Sequence, residues 1–210
     1  ALDALYTKQE NWDALLDILE KKLDADSSTE AQIPVLLRMA DIQETACKKP
    51  EDAISTFIRI TEVDNTSSEA KQSLERLYAQ QEMWQDLADL LLNEINETTD
   101  VDRQIDLKFR LAKLQHEKLD SDFEAIQNLN EIIEIQPENE TVVAYLESLF
   151  EANIETSAIG DILEPLYRKN NQWEKLIHAL EIRATNADDE FTQVQVLNDI
   201  AKTWEENLEK

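Results

Sequence analysis

The side chains best suited to nucleophilic chemistry are few in this sequence. It contains two histidines, His116 and His178, and one cysteine, Cys47. Covalent catalysis requires a nucleophile, a general base and an oxyanion donor within hydrogen-bonding reach of one another. The two histidines lie 178 − 116 = 62 positions apart, and Cys47 is distant from both. The sequence therefore predicts a protein that is not an enzyme, and nothing in it predicts a cofactor.

Metal ligation has two candidate patterns, and neither is complete. His116 and Asp120 stand four residues apart, a spacing that can chelate a metal, but one histidine and one carboxylate make half a site. The acidic run from Asp120 to Glu131 follows the oxygen spacing of an EF-hand loop, yet Ala125 occupies the sixth position, where that loop requires glycine. Acidic residues at a helix start explain the run better, because they interact favourably with the helix dipole. We predict no metal site.

Acidic residues dominate the charge, with 46 Asp and Glu against 20 Lys and Arg and a net charge of −26. Such a field repels phosphate backbones, since nucleic-acid affinity comes largely from Lys and Arg that release counterions. It disfavours anionic lipid surfaces for the same reason, and no apolar run approaches the roughly 18 residues that a membrane span needs. The charge predicts no nucleic-acid partner and no membrane insertion. It fits either a solvated acidic surface or a basic protein partner.

The motif Leu-x-x-Leu-Tyr, with a Trp six residues after the Tyr, occurs three times along the chain. Its copies contain Leu2, Leu5, Tyr6 and Trp12, then Leu74, Leu77, Tyr78 and Trp84, and last Leu163, Leu166, Tyr167 and Trp173. The tryptophans lie 84 − 12 = 72 and 173 − 84 = 89 positions apart, so the second interval is 89 − 72 = 17 residues longer. A fixed long period predicts a repeat architecture, and the extra residues correspond to about one helix.

Composition favours helix throughout, because one glycine and four prolines leave few signals for tight hairpins. Apolar residues at helical spacing predict successive antiparallel helices, and Trp84 and its counterparts are expected in the core. Pro34 predicts either a helix that begins near Ile33 or a kink, and Pro165 predicts a kink or a helix restart. In the middle of the chain the predicted helices span residues 66–81, 83–97, 100–119 and 121–135.

These helices are predicted to form a single α-solenoid over residues 1–210, with one inserted helix near residues 146–162. The repeat divides the solenoid into three blocks, residues 1–73, 74–145 and 146–210. The sequence begins at Ala and no capping helix follows Leu208, so we expect it to be a segment of a longer array. The sequence does not specify a compartment, and the cytoplasm is slightly favoured because no charged-then-apolar leader opens it.

The repeated residues resemble the tetratricopeptide repeat family, whose unit of about 34 residues carries the patterns W-x2-L-G-x2-Y, A-x3-F and P. The matching residues are Leu111, Ala112, Ala125, Leu129 and Pro137 in one unit and Leu74, Tyr78, Trp84 and Leu87 in the alternate unit. The resemblance covers nearly the whole chain and is greatest to long, divergent arrays of bacterial proteins. Glu75 stands where the family usually has glycine. The resemblance implies a right-handed superhelix of helix–turn–helix hairpins.

The resemblance also implies a binding groove, because in that family the first helix of each unit lines a concave surface that holds a peptide or a partner helix. The positions that match this groove are Arg38, Asp41, Gln72, Arg76, Gln80, Lys113 and His116. Their cations imply a partner that carries acidic side chains or a terminal carboxylate, although the Lys, Asn and Arg clamp of chaperone-tail binders is not found. The implied role is a non-catalytic scaffold that binds a protein or a peptide.

Two other roles are compatible with a helical array. Copies could associate end to end through uncapped repeat faces and build a rod or a fibre, in which case Trp204 and Leu208 would lie on such a face. A helical-repeat RNA binder is contradicted by the net charge of −26. Scaffold and rod differ in the behaviour that they predict, because only the rod should grow in mass with concentration.

Overall fold

Helices account for every regular element in the part of the chain that the computed structural model describes, residues 2–26, 28–187 and 189–208. The α-helices are α1 Leu2–Lys8, α2 Trp12–Ala25, α3 Thr29–Asp41, α4 Pro50–Val63, α5 Ser68–Gln80, α6 Trp84–Glu97, α7 Val101–Leu119, α8 Asp122–Ile135, α9 Glu140–Glu151, α10 Thr156–Lys169, α11 Trp173–Thr185 and α12 Glu190–Asn207. A π-helical turn, Ile42–Ala46, continues α3. The all-α prediction is confirmed. The side chain of Leu2, in the first motif copy, lies outside the described residues.

Polar residues at helix starts explain several of these boundaries. A side-chain oxygen accepts a hydrogen bond from a main-chain amide of the following helix at Asn11, Ser67, Asp100, Asn139 and Asp189. Such N-caps satisfy amides that the helix itself cannot pair. The connections between consecutive helices hold two to four residues, which obliges neighbouring helices to run antiparallel.

The turns after α1, α5 and α10 share one geometry. Each contains a non-glycine residue with positive φ, namely Glu10 at 53°, Glu82 at 55° and Asn171 at 54°. The next amide donates to the carbonyl of the motif tyrosine, at N···O distances of 3.0, 2.8 and 2.9 Å in chain order, which is the Schellman arrangement. The three residues are 82 − 10 = 72 and 171 − 82 = 89 positions apart, as the tryptophans are. The repeated motif therefore marks a helix end, a reversal and a new helix start.

The turn after α9 has the same geometry, although no motif copy precedes it. Asn153 has a φ of 60°, and the amide of Ile154 donates to the carbonyl of Leu149 at 3.0 Å. Reversals of one kind thus follow both α9 and α10, in the region where the sequence predicts an inserted helix. The limits of the three blocks, the single solenoid and its handedness remain predictions.

The chain divides into two compact units, residues 1–90 and 91–210, and the division falls within α6. In the first unit α1 packs on α2, α2 on α3, α3 on α4 and α4 on α5. Its most deeply buried side chains are Leu15, Leu19, Leu36, Ile60, Leu74 and Leu77. Each apolar stripe therefore meets the helices next to it in sequence, as a helical-repeat fold requires.

The second unit follows the same rule with one addition. Here α7 packs on α8, α8 on α9, α9 on α10, α10 on α11 and α11 on α12, and α10 also contacts α8. The fully buried side chains include Leu107, Leu129, Ile132, Leu146 and Ile159. Two helices that are not consecutive, α8 and α10, therefore contact each other directly, although α9 separates them in sequence.

Both interior prolines lie inside continuous helices, so neither is at a helix start. The helix that contains Pro34 does not begin near Ile33 but at Thr29, which leaves the proline inside α3. Pro165 lies inside α10, which continues without a restart from Thr156 to Lys169. Both proline rings are exposed. Each helix therefore loses a main-chain hydrogen bond on its solvent-facing side, where water can pair the free carbonyl.

The tryptophans are less buried than the sequence predicts. Trp12, Trp84 and Trp173 are half-buried, whereas the motif residues Tyr78 and Tyr167 are buried. Each of these tryptophans is the first residue of its helix. An indole in that position lies beside the turn, so only part of its ring reaches the apolar stripe.

The chain's one glycine lies where α10 passes close to a side chain of α11. Gly160 is buried, and a Cβ at this position would lie 2.6 Å from Cδ and 3.2 Å from Nε of Arg183. Arg183 forms ion pairs with Glu164 and, at 3.4 Å, with Asp161. The missing side chain at position 160 therefore leaves room for the Arg183 stem to cross α10 toward these carboxylates.

We expect the effect of Gly160→Ala on stability to depend on residue 183. In a helix interior alanine is favoured over glycine by about 1 kcal/mol, and Gly160→Ala should show this gain in an Arg183→Ala background. With Arg183 present, the new Cβ displaces its stem and weakens the pair with the largely buried Glu164, so the gain should be cancelled or reversed. Urea denaturation of the four proteins of this cycle measures the coupling. Equal effects in the two backgrounds would contradict the close contact.

Candidate binding surfaces

The predicted groove residues on α3 lie in the first unit, and the arginine among them is already paired. Arg38 donates to both oxygens of Asp3 on α1, at 2.6 and 2.8 Å, and to Thr7 Oγ1 at 3.2 Å. Asp41 is exposed at the end of α3, and its main-chain carbonyl accepts a hydrogen bond from Thr45. The arginine therefore connects α3 to α1 and is not an open cation.

The predicted groove residues on α5, Gln72, Arg76 and Gln80, are exposed and spaced four residues apart on one helix face. Arg76 donates through its two Nη atoms to the two oxygens of Glu44, at 2.6 and 2.8 Å. It also contacts Gln80 Oε1 at 3.4 Å. The hydrogen bonds to Glu44 raise the pKa of the Arg76 guanidinium. This two-point contact joins α5 to the π-helical turn after α3.

The remaining two predicted residues lie on α7 in the second unit, in a cluster with aromatic rings. Lys113 Nζ is 5.9 Å from the ring centre of Phe109 and 5.7 Å from that of Tyr145, which is within cation–π range. His116 Nδ1 lies 2.6 Å from Asp122 Oδ1, and the His116 ring packs edge-on against the ring of Tyr145. The Tyr145 hydroxyl is buried and has no hydrogen-bond partner among the described residues.

The structure thus places each predicted residue near the surface, on α3, α5 or α7. It brings Arg76 and Gln80 together, and it brings Lys113 and His116 around one tyrosine. The arginines already have carboxylate partners within the chain, so a partner carboxylate would have to displace Asp3 or Glu44. Binding by these seven positions remains a prediction.

The two metal-like patterns take other roles in the structure. Asp120 has a φ of 50° and ends α7, and His116 contacts Asp122 at the start of α8 instead. Within the described ranges, no group of three or more His, Cys, Asp and Glu side chains is arranged to hold a metal ion. No described helix is long and apolar enough to cross a bilayer.

A cleft that the sequence reasoning missed lies between α9, α10 and α11 in the second unit, with a volume of about 440 Å³. It is lined by Pro137, Glu138, Glu140, Val143, Ala144, Glu147, Leu166, Tyr167, Asn170, Gln172 and Lys175. A second cavity of about 280 Å³ shares Glu147, Tyr167 and Lys175 with it and extends along α9 and α11. The two cavities adjoin at these three side chains.

A hydrogen-bonded trio occupies the junction of the two cavities. The Tyr167 hydroxyl donates to Glu147 Oε1 at 2.8 Å, and Lys175 Nζ donates to the same oxygen at 2.6 Å. Lys175 Nζ also lies 5.7 Å from the Tyr167 ring centre. Burial raises the pKa of Tyr167 well above its ordinary value, and the hydrogen bond and charge of Glu147 act in the same direction. The phenol is therefore a stable donor that fixes the Glu147 carboxylate.

The rest of the cleft combines apolar and acidic lining residues. Val143 and Leu166 contribute apolar surface, and the exposed side chains of Glu138 and Glu140 contribute negative charge. In the second cavity His178 Nε2 lies 2.7 Å from Glu151 Oε1. Such a site suits a side chain with an apolar stem and a positive end, because both parts then find a partner.

A comparison between repeat copies would have revealed part of this site. Tyr167 belongs to the repeated motif. The central copy has Asp86 at the position of Lys175, since 175 − 89 = 86. A change from acid to base beside an otherwise repeated tyrosine is the signal that the sequence contains. Glu147 on α9 has no such signal.

No model of a known protein family matches this chain, and no curated protein matches it. Two crystal structures of MamA are each 19% identical to it and match 90% of its length, covering 98% and 91% of those chains with TM-scores of 0.40 and 0.39. A structure of Naa15/Naa10 bound to HypK-THB is 13% identical, matches 94% of this chain and 38% of the other, and has a TM-score of 0.37. At these scores the helices superpose only loosely, so neither function nor partner is transferred from these proteins.

Replacing the two ends of the Arg76 pair should change carboxylate binding in opposite directions. Glu44→Gln removes the internal competitor, so a peptide with a free terminal carboxylate should bind more tightly by about 1 kcal/mol. Arg76→Ala should weaken peptide binding by about 1–2 kcal/mol. It should change the free energy of unfolding by less than about 1 kcal/mol, because the Arg76 side chain is 45% exposed and the ion pair is screened by water. Calorimetric titration and thermal unfolding measure these effects. Arg59→Ala, which removes a similar pair with Glu20, is the control, and equal affinities throughout would place the site elsewhere.

Tyr145 should make the stability of the protein sensitive to alkaline pH. Burial raises its pKa to about 12, and the charges of Glu117 and Asp122 act in the same direction. The pKa of a tyrosine in an unfolded chain is about 10. The contribution of Tyr145 to the stability of the folded protein is therefore complete below about pH 10 and is lost as the pH rises toward about 12. At neutral pH the free energy of unfolding of Tyr145→Phe should lie within about 1 kcal/mol of the wild-type value, because the hydroxyl lacks a hydrogen-bond partner among the described residues. It should lose less stability between pH 7 and about pH 11. Identical pH dependence in urea denaturation would contradict this assignment.

Proposed function

We propose that this protein is a non-catalytic interaction scaffold that binds a segment of another protein in the cleft between α9, α10 and α11. The observation that carries the proposal is the cleft itself, about 440 Å³ in volume, with its hydrogen-bonded polar trio and its apolar lining residues. Its walls are helices packed on their neighbours. Sites built on rigid helices keep their shape and lose little entropy when a ligand binds.

The charge of the cleft favours a basic ligand. Its lining contains three acidic side chains, Glu138, Glu140 and Glu147, and one basic side chain, Lys175. The whole chain carries a net charge of −26, which accelerates the approach of a positive partner. A lysine or arginine of the ligand can place its stem over Val143 and Leu166 and its charge beside Glu138 or Glu140. The partner that this cleft suits is therefore a basic segment with apolar neighbours.

The Tyr167–Glu147–Lys175 trio contributes orientation. Glu147 Oε1 accepts two hydrogen bonds, at 2.8 and 2.6 Å, so its carboxylate is held before a ligand arrives. A preoriented acceptor improves discrimination between ligands more than it improves total affinity. Replacement of either donor should therefore broaden the range of peptides that bind.

Blocking the cleft tests the proposal. Ala144 is exposed on α9 and lines the cleft, so Ala144→Arg fills it and adds positive charge without opening the core. Peptides selected from a random displayed library against the wild type should be enriched in Lys or Arg beside apolar residues. Their affinity for Ala144→Arg should fall by about tenfold or more, equivalent to about 1.4 kcal/mol. The affinity of these peptides for the wild type should also fall as the salt concentration increases.

Gln127→Arg is the matched control, because it adds the same charge at an exposed position on α8 in the same unit. Affinity for this variant should be close to that of the wild type. Selected peptides that bind Ala144→Arg as tightly as the wild type would show that the cleft is not the site. A selection that enriches acidic peptides would contradict the proposed ligand chemistry.

A further inference from the structure

The junction of the two cavities already holds an alkylammonium group, which belongs to Lys175 on α11. Its Nζ lies 2.6 Å from Glu147 Oε1 on α9 and 5.7 Å from the ring centre of Tyr167 on α10. All three residues line both cavities. A carboxylate and an aromatic face are groups that bind ammonium ions in proteins. The chain therefore places one of its own cations where a cation of a ligand would find the same two partners.

The lysine is held loosely at this position, whereas its acceptor is held more firmly. The Lys175 side chain is 52% exposed, and ion pairs so open to water contribute little to stability. Its flexible stem lets the ammonium group turn away without a change in α11. Glu147 is only 28% exposed, and the hydrogen bond that it accepts from the Tyr167 hydroxyl, at 2.8 Å, does not involve the lysine. Lys175 can therefore leave Glu147 while the carboxylate stays in place.

The repeat does not require a lysine at this position. In the two earlier motif copies the equivalent residues are Asp86 and Ala14, since 175 − 89 = 86 and 86 − 72 = 14. All three residues lie in the first turn of the helix that follows the motif tyrosine, and none of them is buried. Helix packing therefore accepts a neutral, an acidic or a basic residue here. The basic residue occurs in the copy whose tyrosine lines the cleft.

Lys113 provides a comparison within the same unit. Residues 113–116 and 175–178 both read Lys-Leu-x-His, and Lys113 Nζ also lies 5.7 Å from a tyrosine ring centre, that of Tyr145. The carboxylate that it contacts, however, is Glu117 on its own helix, at 3.9 Å. Lys113 lines neither of the two cavities. The lysine of the cleft therefore differs from it in reaching a carboxylate on another helix, at a point where two cavities meet.

We propose that Lys175 is a displaceable gate, and that a lysine of the bound segment takes its place against Glu147 and Tyr167. This rests on the proposed function and extends it, because a ligand cation beside Glu138 or Glu140 leaves the gate closed. A lysine that reaches Glu147 turns Lys175 out to solvent and joins the cavities of about 440 and 280 Å³. The main chain of the ligand then lies in the larger cavity, and its ammonium group lies at the junction.

Competition with Lys175 makes the site selective. A ligand without a cation gains no partner at Glu147 and leaves the gate closed. An acidic ligand can pair with Lys175, but it meets the like charges of Glu138, Glu140 and Glu147 in the same cleft, which lowers its affinity. A lysine on an apolar segment is the ligand group that replaces both contacts of Lys175 and meets no basic residue of the cleft lining once Lys175 has turned away.

Removal of the gate tests the proposal with two matched peptides, acetyl-Ala-Leu-Lys-Leu-Ala-amide and the same peptide with norleucine in place of lysine. Lys175→Met keeps most of the side-chain volume and removes the charge. It should tighten binding of the lysine peptide by about threefold or more, because a solvated ion pair no longer competes. It should leave the affinity for the norleucine peptide within about twofold. NMR titration of the whole protein gives the affinities and shows which residues the peptides contact.

Two further variants separate displacement from simple charge repulsion. In a Glu147→Gln background, Lys175→Met should change the affinity for the lysine peptide by less than about twofold, because the contested carboxylate is gone. Lys113→Met removes the same charge outside the two cavities and should leave both affinities within about twofold of the wild type. A gain from Lys175→Met that persists in the Glu147→Gln background, or that Lys113→Met reproduces, would overturn the gate.

The remaining outcomes separate the gate from the proposed function. If the lysine peptide binds the wild type at the cleft but Lys175→Met does not tighten it, the gate is wrong and the ligand cation lies beside Glu138 or Glu140. If Lys175→Met weakens binding, Lys175 contacts the ligand directly and the gate is again wrong. If neither peptide perturbs the residues of the cleft in any variant, the proposed function fails and the gate fails with it.

Discussion

Packing of helices on their sequence neighbours holds each of the two units together, and the short reversing turns make that packing possible. At Glu10, Glu82 and Asn171 the chain enters the left-handed region, at a cost of roughly 1–2 kcal/mol for each residue. The reversal at Asn171 lets side chains such as Leu163 on α10 and Leu176 on α11 share one buried core, which stabilises the fold by about 1.5–3 kcal/mol for each large apolar side chain. The core is thus built from contacts that are close in sequence.

This locality explains what could be predicted. Helix positions followed from apolar periodicity, because each stripe reports directly on the face that its neighbours cover. The depth of burial did not follow from the same periodicity. Trp84 lies on the apolar face but is only half-buried, because it is the first residue of its helix and lies next to a turn. The positions of Pro34 and Pro165 depend on which side of the helix faces solvent, and their neighbours in sequence do not specify that side.

The electrostatic contacts were less predictable, because they join residues far apart in the chain. Arg76 reaches Glu44 and Arg183 reaches Glu164 across helix interfaces, and no motif marks either pair. The same is true of the cleft, where residues 147, 167 and 175 meet only after α9, α10 and α11 have packed. In a chain with 46 acidic and 20 basic residues, internal pairing uses many of the cations, so the free surface is more acidic than the composition alone suggests.

The turns also influence how such a sequence can change in evolution. Their geometry depends on main-chain hydrogen bonds and one left-handed residue, and this residue is Glu at positions 10 and 82 and Asn at positions 153 and 171. All four side chains are exposed, and Asn153 Oδ1 also accepts a hydrogen bond from Asn186 Nδ2 at 3.0 Å. Exposed turn tips of this kind accept inserted segments with small loss of stability. Each reversal is therefore a place where a loop, an epitope or a whole domain can be acquired without disturbing the helices on either side.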